Sequence, residues 1–188
     1  MNIFFLDKTP EKSAEMLCDK HVPKMLLETA QMLSTAYRSL YGEDRYTKDL
    51  YKIAYPNHPM TKWVSKHSKN FDWALLLGCK IAKEYTFRFR KYHKSDAIIE
   101  TLCFAVEDNS FTGYGMEGDM TPPPQCMPDE YKHKNYVTAY RQYYAGDKDR
   151  FAKWERGRSK PKWYEKIKNK IEASQEKTGQ ESIERASH

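Results

Sequence analysis

The chain has 188 residues, 39% of them hydrophobic and 31% charged, with a formal net charge of +6. That size and composition suit one core with at most a small appendage. No apolar run approaches the roughly 18 residues of a membrane span, and no positive-then-apolar opening marks a secretory signal, so the expectation is a monomeric, cytoplasmic protein with no membrane partner.

In chain order, the opening "NIFFL" is a short strand-like stretch, after which helical periodicity dominates. Thr9 and Pro10 suit the cap and first position of a helix that ends near Cys18. A second helix tolerates Pro23 in its first turn. It carries Val22, Met25, Leu26, Thr29, Met32, Leu33, Ala36 and Leu40 on one face, and Lys24, Glu28, Gln31, Thr35 and Arg38 along another. A short helix follows Pro59. A long one capped near Ser68 packs through Phe71, Leu75, Gly78, Cys79, Ala82 and Tyr85, and is expected to be central. Ser95 caps "DAIIETLCFAV". Residues 106–134 then form a Gly- and Pro-rich loop, expected to be ordered because it is also rich in aromatic residues and methionine. Helices around "NYVTAYRQYYAG", "DKDRFAKWE" and "KPKWYEKIKNKI" complete an all-α fold, with one helical domain over residues 1–171 and a polar, frayed tail over 172–188.

Cys18, Cys79, Cys103 and Cys126 show no CxxC spacing and read as reduced packing residues rather than a disulfide framework or a zinc site. Neither a cofactor nor a metal is expected.

Two stretches carry chemistry. Between Lys148 and Lys170 lie ten lysines and arginines interleaved with Phe151, Trp154, Trp163 and Tyr164. Cations release counterions on binding phosphates and aromatic faces stack on bases, so this is either a nucleic-acid grip or a solvated helix face with its aromatics turned inward. The stretch "CDKHVPKMLLETAQML" places Asp19, His21 and Glu28 around a helix start. Either they converge on a cleft, or Asp19 caps the helix, His21 satisfies a carbonyl and Glu28 pairs with Lys24. In "YPNHPMTK", Asn57 and His58, with Lys62 beyond them, stand where a turn meets a Pro-started helix and an anion can be held. Gln125, Asp129, Glu130 and Tyr131 of the long loop are candidates to close over a base.

"CDKHVPKMLLETAQML" resembles the N-terminal helix of the pyrimidine-dimer DNA glycosylases of the phage endonuclease V type, in which an Asp-x-His pair precedes a helix carrying the catalytic Glu. The closing "RSKPKWYEKIKNK" is similar to that family's C-terminal Pro-x-Trp-Tyr segment. "MNIFFLD", "CDKHV" and "NHPMTKW" also resemble small phage and bacterial proteins placed near it. The resemblance spans most of residues 1–170. It implies an all-helical enzyme that kinks duplex DNA, flips out a nucleotide and cleaves its glycosidic bond. The α-amine of Met1 or Asn2 would form a Schiff base at C1′, and β-elimination would then break the strand. Asp19, His21 and Glu28 would share the catalytic work, Glu28 as acid and base. Lys24, Gln31, Asn57, His58, Lys62, Arg158, Lys160, Lys162, Trp163 and Tyr164 would hold DNA. Two other readings stay open: an enzyme acting on a free nucleotide or a modified viral base, and a DNA-binding accessory protein without catalysis.

Overall fold

A computed structural model describes residues 1–108 and 119–173, and among them the fold is all-α. The helices are α1 (Pro10–Met16), α2 (His21–Tyr41), α3 (Pro59–Lys66), α4 (Ser68–Phe89), α5 (Lys94–Asp108), α6 (Tyr136–Asp147) and α7, which is helical from 162 to the last described residue, 173. The expected frayed tail thus lies almost wholly outside the described residues.

Helix α4 is central, packing against α1, α2, α3 and α5. Its apolar face demands this, since Phe71, Ala74, Leu77 and Ile81 are all nearly or fully removed from solvent. Gly78 lets α5 come close: a Cβ there would stand 2.6 Å from Ile99 Cδ1. Helix α2 buries Val22, Met25, Leu26, Thr29, Met32, Leu33 and Ala36 as its spacing requires, whereas Leu40 in the last turn is 40% exposed. Gly42, at φ 68°, ends it.

Several boundaries differ from the sequence expectation. The opening segment forms no strand. It runs unpaired through the core, with Ile3, Phe4, Phe5 and Leu6 all buried, so both of its faces are apolar. Phe4 stacks on His21, and Phe5 stacks on Trp73 with Trp63 edge-on. Ser68 and Ser95 are not caps. His67 Nδ1 accepts the Lys69 N–H and His93 Nδ1 accepts the Ser95 N–H, while the Ser95 hydroxyl pairs with Tyr51. Of the helix expected in "DKDRFAKWE" only a 3₁₀ turn, Asp149–Phe151, forms. Beyond it the chain is drawn out, because Asp19 takes the Glu155 N–H on its carboxylate and gives its own N–H to the Lys153 carbonyl. The long loop starts later than expected, α5 continuing to Asp108, and residues 109–118 lie outside the described ones. Residues 119–134 pack on the body: Thr121 bonds Asn70, and Tyr140 donates its hydroxyl proton to the Pro124 carbonyl. No helix among the described residues is long and apolar enough to cross a membrane.

Candidate active site

The buried opening segment delivers the chain's first residue to the middle of α2. There the Met1 α-amine lies 3.9 Å from Glu28 Oε2, and the Asn2 backbone N–H donates to the same oxygen at 2.8 Å. Asn2 is itself anchored, its side-chain amide donating to the Cys126 carbonyl at 2.9 Å. The amine is thus held from one side by Phe4 and Phe5 in the core and from the other by the loop around Cys126. Lys24, one turn before Glu28, places its ammonium 3.9 Å from Oε1. Glu28 therefore has one oxygen oriented by the backbone and the other turned toward a lysine and solvent, its side chain 14% exposed.

His58 joins this group. Its Nδ1 accepts the Met60 N–H and so caps α3, which leaves Nε2 to carry the proton of the neutral ring. Burial lowers its pKa first and the nearby α-amine lowers it further, while Glu28 pulls the other way. Met1, Asn2, Lys24, Glu28 and His58 thus form one constellation. Asn57 and Lys62 flank His58 on exposed positions, and Gln31 is half-buried on α2.

Asp19 and His21 are placed differently. Helix α2 needs no side-chain cap, because the His21 and Val22 N–H groups both reach the Cys18 carbonyl. Asp19 instead pairs with Arg88 at 3.1 Å. The wholly buried Arg88 guanidinium also holds Glu84 and the carbonyls of Leu17 and Glu15. His21 is buried between Phe4 and Phe151, with Nδ1 2.8 Å from the Tyr144 hydroxyl. That hydroxyl accepts the Cys18 N–H, so its own proton is free to go to His21. Burial, aided by Lys24, Lys148 and Lys20, pushes the imidazole down to about 3, and the ring is neutral at physiological pH. Both residues knit the C-terminal segment to the head of α2.

The C-terminal aromatics turn inward. Tyr164 is fully buried and donates to Asp149, and Trp163 directs Nε1 at the Met16 sulfur. Arg158 is engaged by Glu84 and Glu15, and Lys160 by Glu165, whereas Lys162 is exposed. In the loop, Gln125 clamps the His133 backbone and Asp129 pairs with Lys132.

Sequence reasoning passed over a basic pocket of about 470 Å³ beside this constellation, lined by Lys20, His21, Lys24, Arg150 and Phe151. The Lys20 ammonium stands 4.9 Å over the Phe151 ring and the Arg150 guanidinium 5.7 Å from its centroid. Three cations around an aromatic wall, with no carboxylate in the lining, suit a phosphate next to a base. Arg150 and Phe151 belong to the basic, aromatic stretch that the sequence offers as a nucleic-acid grip, and Lys24 to the polar line of α2; that they meet, with Lys20, around one pocket is decided by tertiary contact.

The profile of the pyrimidine dimer DNA glycosylase family matches residues 1–99, from the first residue into α5. No curated protein and no solved structure matches the chain. The matched segment contains the amine, Glu28, Lys24 and His58, while Arg150 and α7 lie beyond it. The chain belongs to the pyrimidine dimer DNA glycosylase family.

Proposed function

We propose that this family member acts on DNA as a combined N-glycosylase and abasic-site lyase, with the Met1 α-amine as nucleophile and Glu28 as its acid and base. The single observation that carries the reading is the amine 3.9 Å from a carboxylate whose other contact, the Asn2 N–H, fixes its orientation. At that separation the pair is not hydrogen-bonded directly, and contacts of this kind tighten when substrate binds.

An α-amine suits the task because, as a class, such amines titrate near 7.7–8.0, about 2.5 units below a lysine side chain, and so supply a neutral nucleophile near physiological pH. Attack on C1′ of a flipped nucleotide forms the C–N bond as the glycosidic bond breaks and the base leaves with the electron pair. The Glu28 carboxylate stabilises the positive charge that develops on the sugar and takes the proton the amine must lose. Ring opening gives the imine. Removal of a C2′ proton then expels the 3′-phosphate, and Glu28 stands within the constellation to carry that proton. The pocket of Lys20, Lys24 and Arg150 receives a phosphate of the strand, with Phe151 against the neighbouring base.

The test is borohydride trapping on duplex DNA carrying an abasic site, followed by mapping of the linked residue. A covalent adduct at the first residue, lost in Glu28→Gln and on acetylation of the amine, supports the lyase. Salt-sensitive DNA binding without any adduct refutes the Schiff-base mechanism, and turnover that survives acetylation moves the site to nucleotide chemistry that does not use the amine.

A further inference from the structure

Outside the candidate active site, α4 and α5 bring two cysteines together. The Cys79 and Cys103 sulfurs are 3.6 Å apart in hydrogen-bond contact, and neither thiol is fully buried. Their approach is built into the helix packing, because Gly78, next to Cys79, and Ile99, one turn before Cys103, form the close contact that draws α5 onto α4. Both thiols line an open groove of about 1080 Å³ between these helices, with Lys83 one turn from Cys79 and Lys94, Glu100 and Phe104 around them.

From this geometry we infer that Cys79 and Cys103 are a thiol pair that a hydroperoxide converts reversibly into an intramolecular disulfide, Cys79 reacting first and Cys103 resolving it. The hydrogen bond from Cys103 and the charge of Lys83 hold the Cys79 thiol down to about 7 against the effect of burial, whereas Cys103 is pushed up by that same contact and by burial. The two sulfurs are therefore unequal, one a ready thiolate and the other a retained thiol. In the first step the Cys79 sulfur attacks the peroxide, an S–O bond forms, the O–O bond breaks, and an alcohol or water departs; sulfur is oxidised and the peroxide reduced. In the second, Cys103 attacks that sulfur, the S–S bond forms, the S–O bond breaks, and hydroxide leaves with the Cys103 proton as water. A bonded pair needs its sulfurs at about 2.05 Å, so they must close by roughly 1.5 Å from where the packed helices hold them.

The groove gives the oxidant access that Cys18, which is fully buried, lacks. Cys126 is half-buried like the pair and stands apart from it, on the loop that Asn2 anchors. The reaction is independent of the proposed DNA chemistry, since none of the groove residues belongs to the constellation around Glu28.

The experiment treats the full chain with hydrogen peroxide, denatures it in an alkylating agent, counts thiols and maps peptides without reduction. The expected result is a fall from four free thiols to two, a linked Cys79–Cys103 peptide lighter by two hydrogens, and full recovery with dithiothreitol. In Cys103→Ala, dimedone should capture Cys79 as the sulfenic acid, and Cys79→Ala should slow loss of the Cys103 thiol by roughly tenfold or more. Four surviving thiols in peroxide that oxidises a small-molecule thiol control, loss centred on Cys18 or Cys126, or a disulfide joining two chains overturns the inference.

Discussion

Asp19, just before α2, and Glu28, two turns inside it, are two carboxylates that the structure holds in different ways. The two side chains are almost equally exposed, 13% and 14%, but differently engaged. Arg88 and the Glu155 N–H take one Asp19 oxygen each, and Glu84 and Arg158 extend the network across α1, α4 and the C-terminal segment. Glu28 has one backbone hydrogen bond, on Oε2, and two cations at 3.9 Å. The difference teaches how to separate a structural acid from a reactive one. A carboxylate with both oxygens engaged by fixed partners is committed to the fold, whereas one held at a single oxygen is oriented and still available.

The sharpest way to break this comparison is to remove each charge in turn. Glu28→Gln keeps an oxygen for the Asn2 N–H, so stability should move by less than about 1 kcal/mol while single-turnover cleavage falls roughly 10²–10⁴-fold. A variant that cleaves normally would place the chemistry elsewhere. Arg88→Met should do the reverse. It leaves the buried Glu84 and the half-buried Asp19 beside an apolar side chain, and urea unfolding should show a loss of about 3–5 kcal/mol. A loss under about 1 kcal/mol would mean the network is not what fastens the C-terminal segment.

His21 sharpens the structural side through pH. Its folded pKa, about 3, lies below the ordinary 6.5, so the unfolded chain binds the proton that the folded one refuses. Its contribution is fully present above about 6.5 and is lost as pH falls toward the folded value. Between pH 7.5 and 5 the wild type should lose about 2 kcal/mol more than His21→Gln in urea midpoints taken across that range. Equal slopes for the two proteins would show the imidazole to be solvated. The smallest effect is expected at the basic pocket. Lys20→Ala or Arg150→Ala should weaken DNA binding by a similar factor on any sequence and reduce the salt slope by about 0.9 each. An unchanged slope would remove the pocket from the DNA interface.

How much of this was legible in the sequence varies by residue. The apolar stripe of α2 and the centrality of α4 followed from three- and four-residue spacing, because burial on a helix face repeats with the helix. The polar line on α2 was also real, but only its first half, Lys24 and Glu28, borders the candidate site. Thr35 and Arg38 bond the backbone of residues 50–54, tying down the segment that leads to His58. His58, a candidate site residue in the sequence, shares one local device with His67, His93 and His133, each accepting on Nδ1 the N–H two residues on. An imidazole Nδ1 in an extended residue does the work usually assigned to Ser or Asp, and composition gives no sign of it.

By itself, the sequence determined the all-α class, most helix positions, the core face of each long helix and the resemblance carried by Asp19, His21 and Glu28, because these depend on local periodicity and motif. Tertiary structure alone decided which of those three residues meets the first residue of the chain. It brought Met1 and Asn2 to Glu28, the latter across twenty-six residues of separation, turned His21 into the Phe4–Tyr144 cluster, committed Asp19 to Arg88, and set Cys79 against Cys103. The physical reason is that a side chain's chemistry is set by its partners, and these partners come from distant segments joined only when the opening segment is buried between α2, α4 and α6.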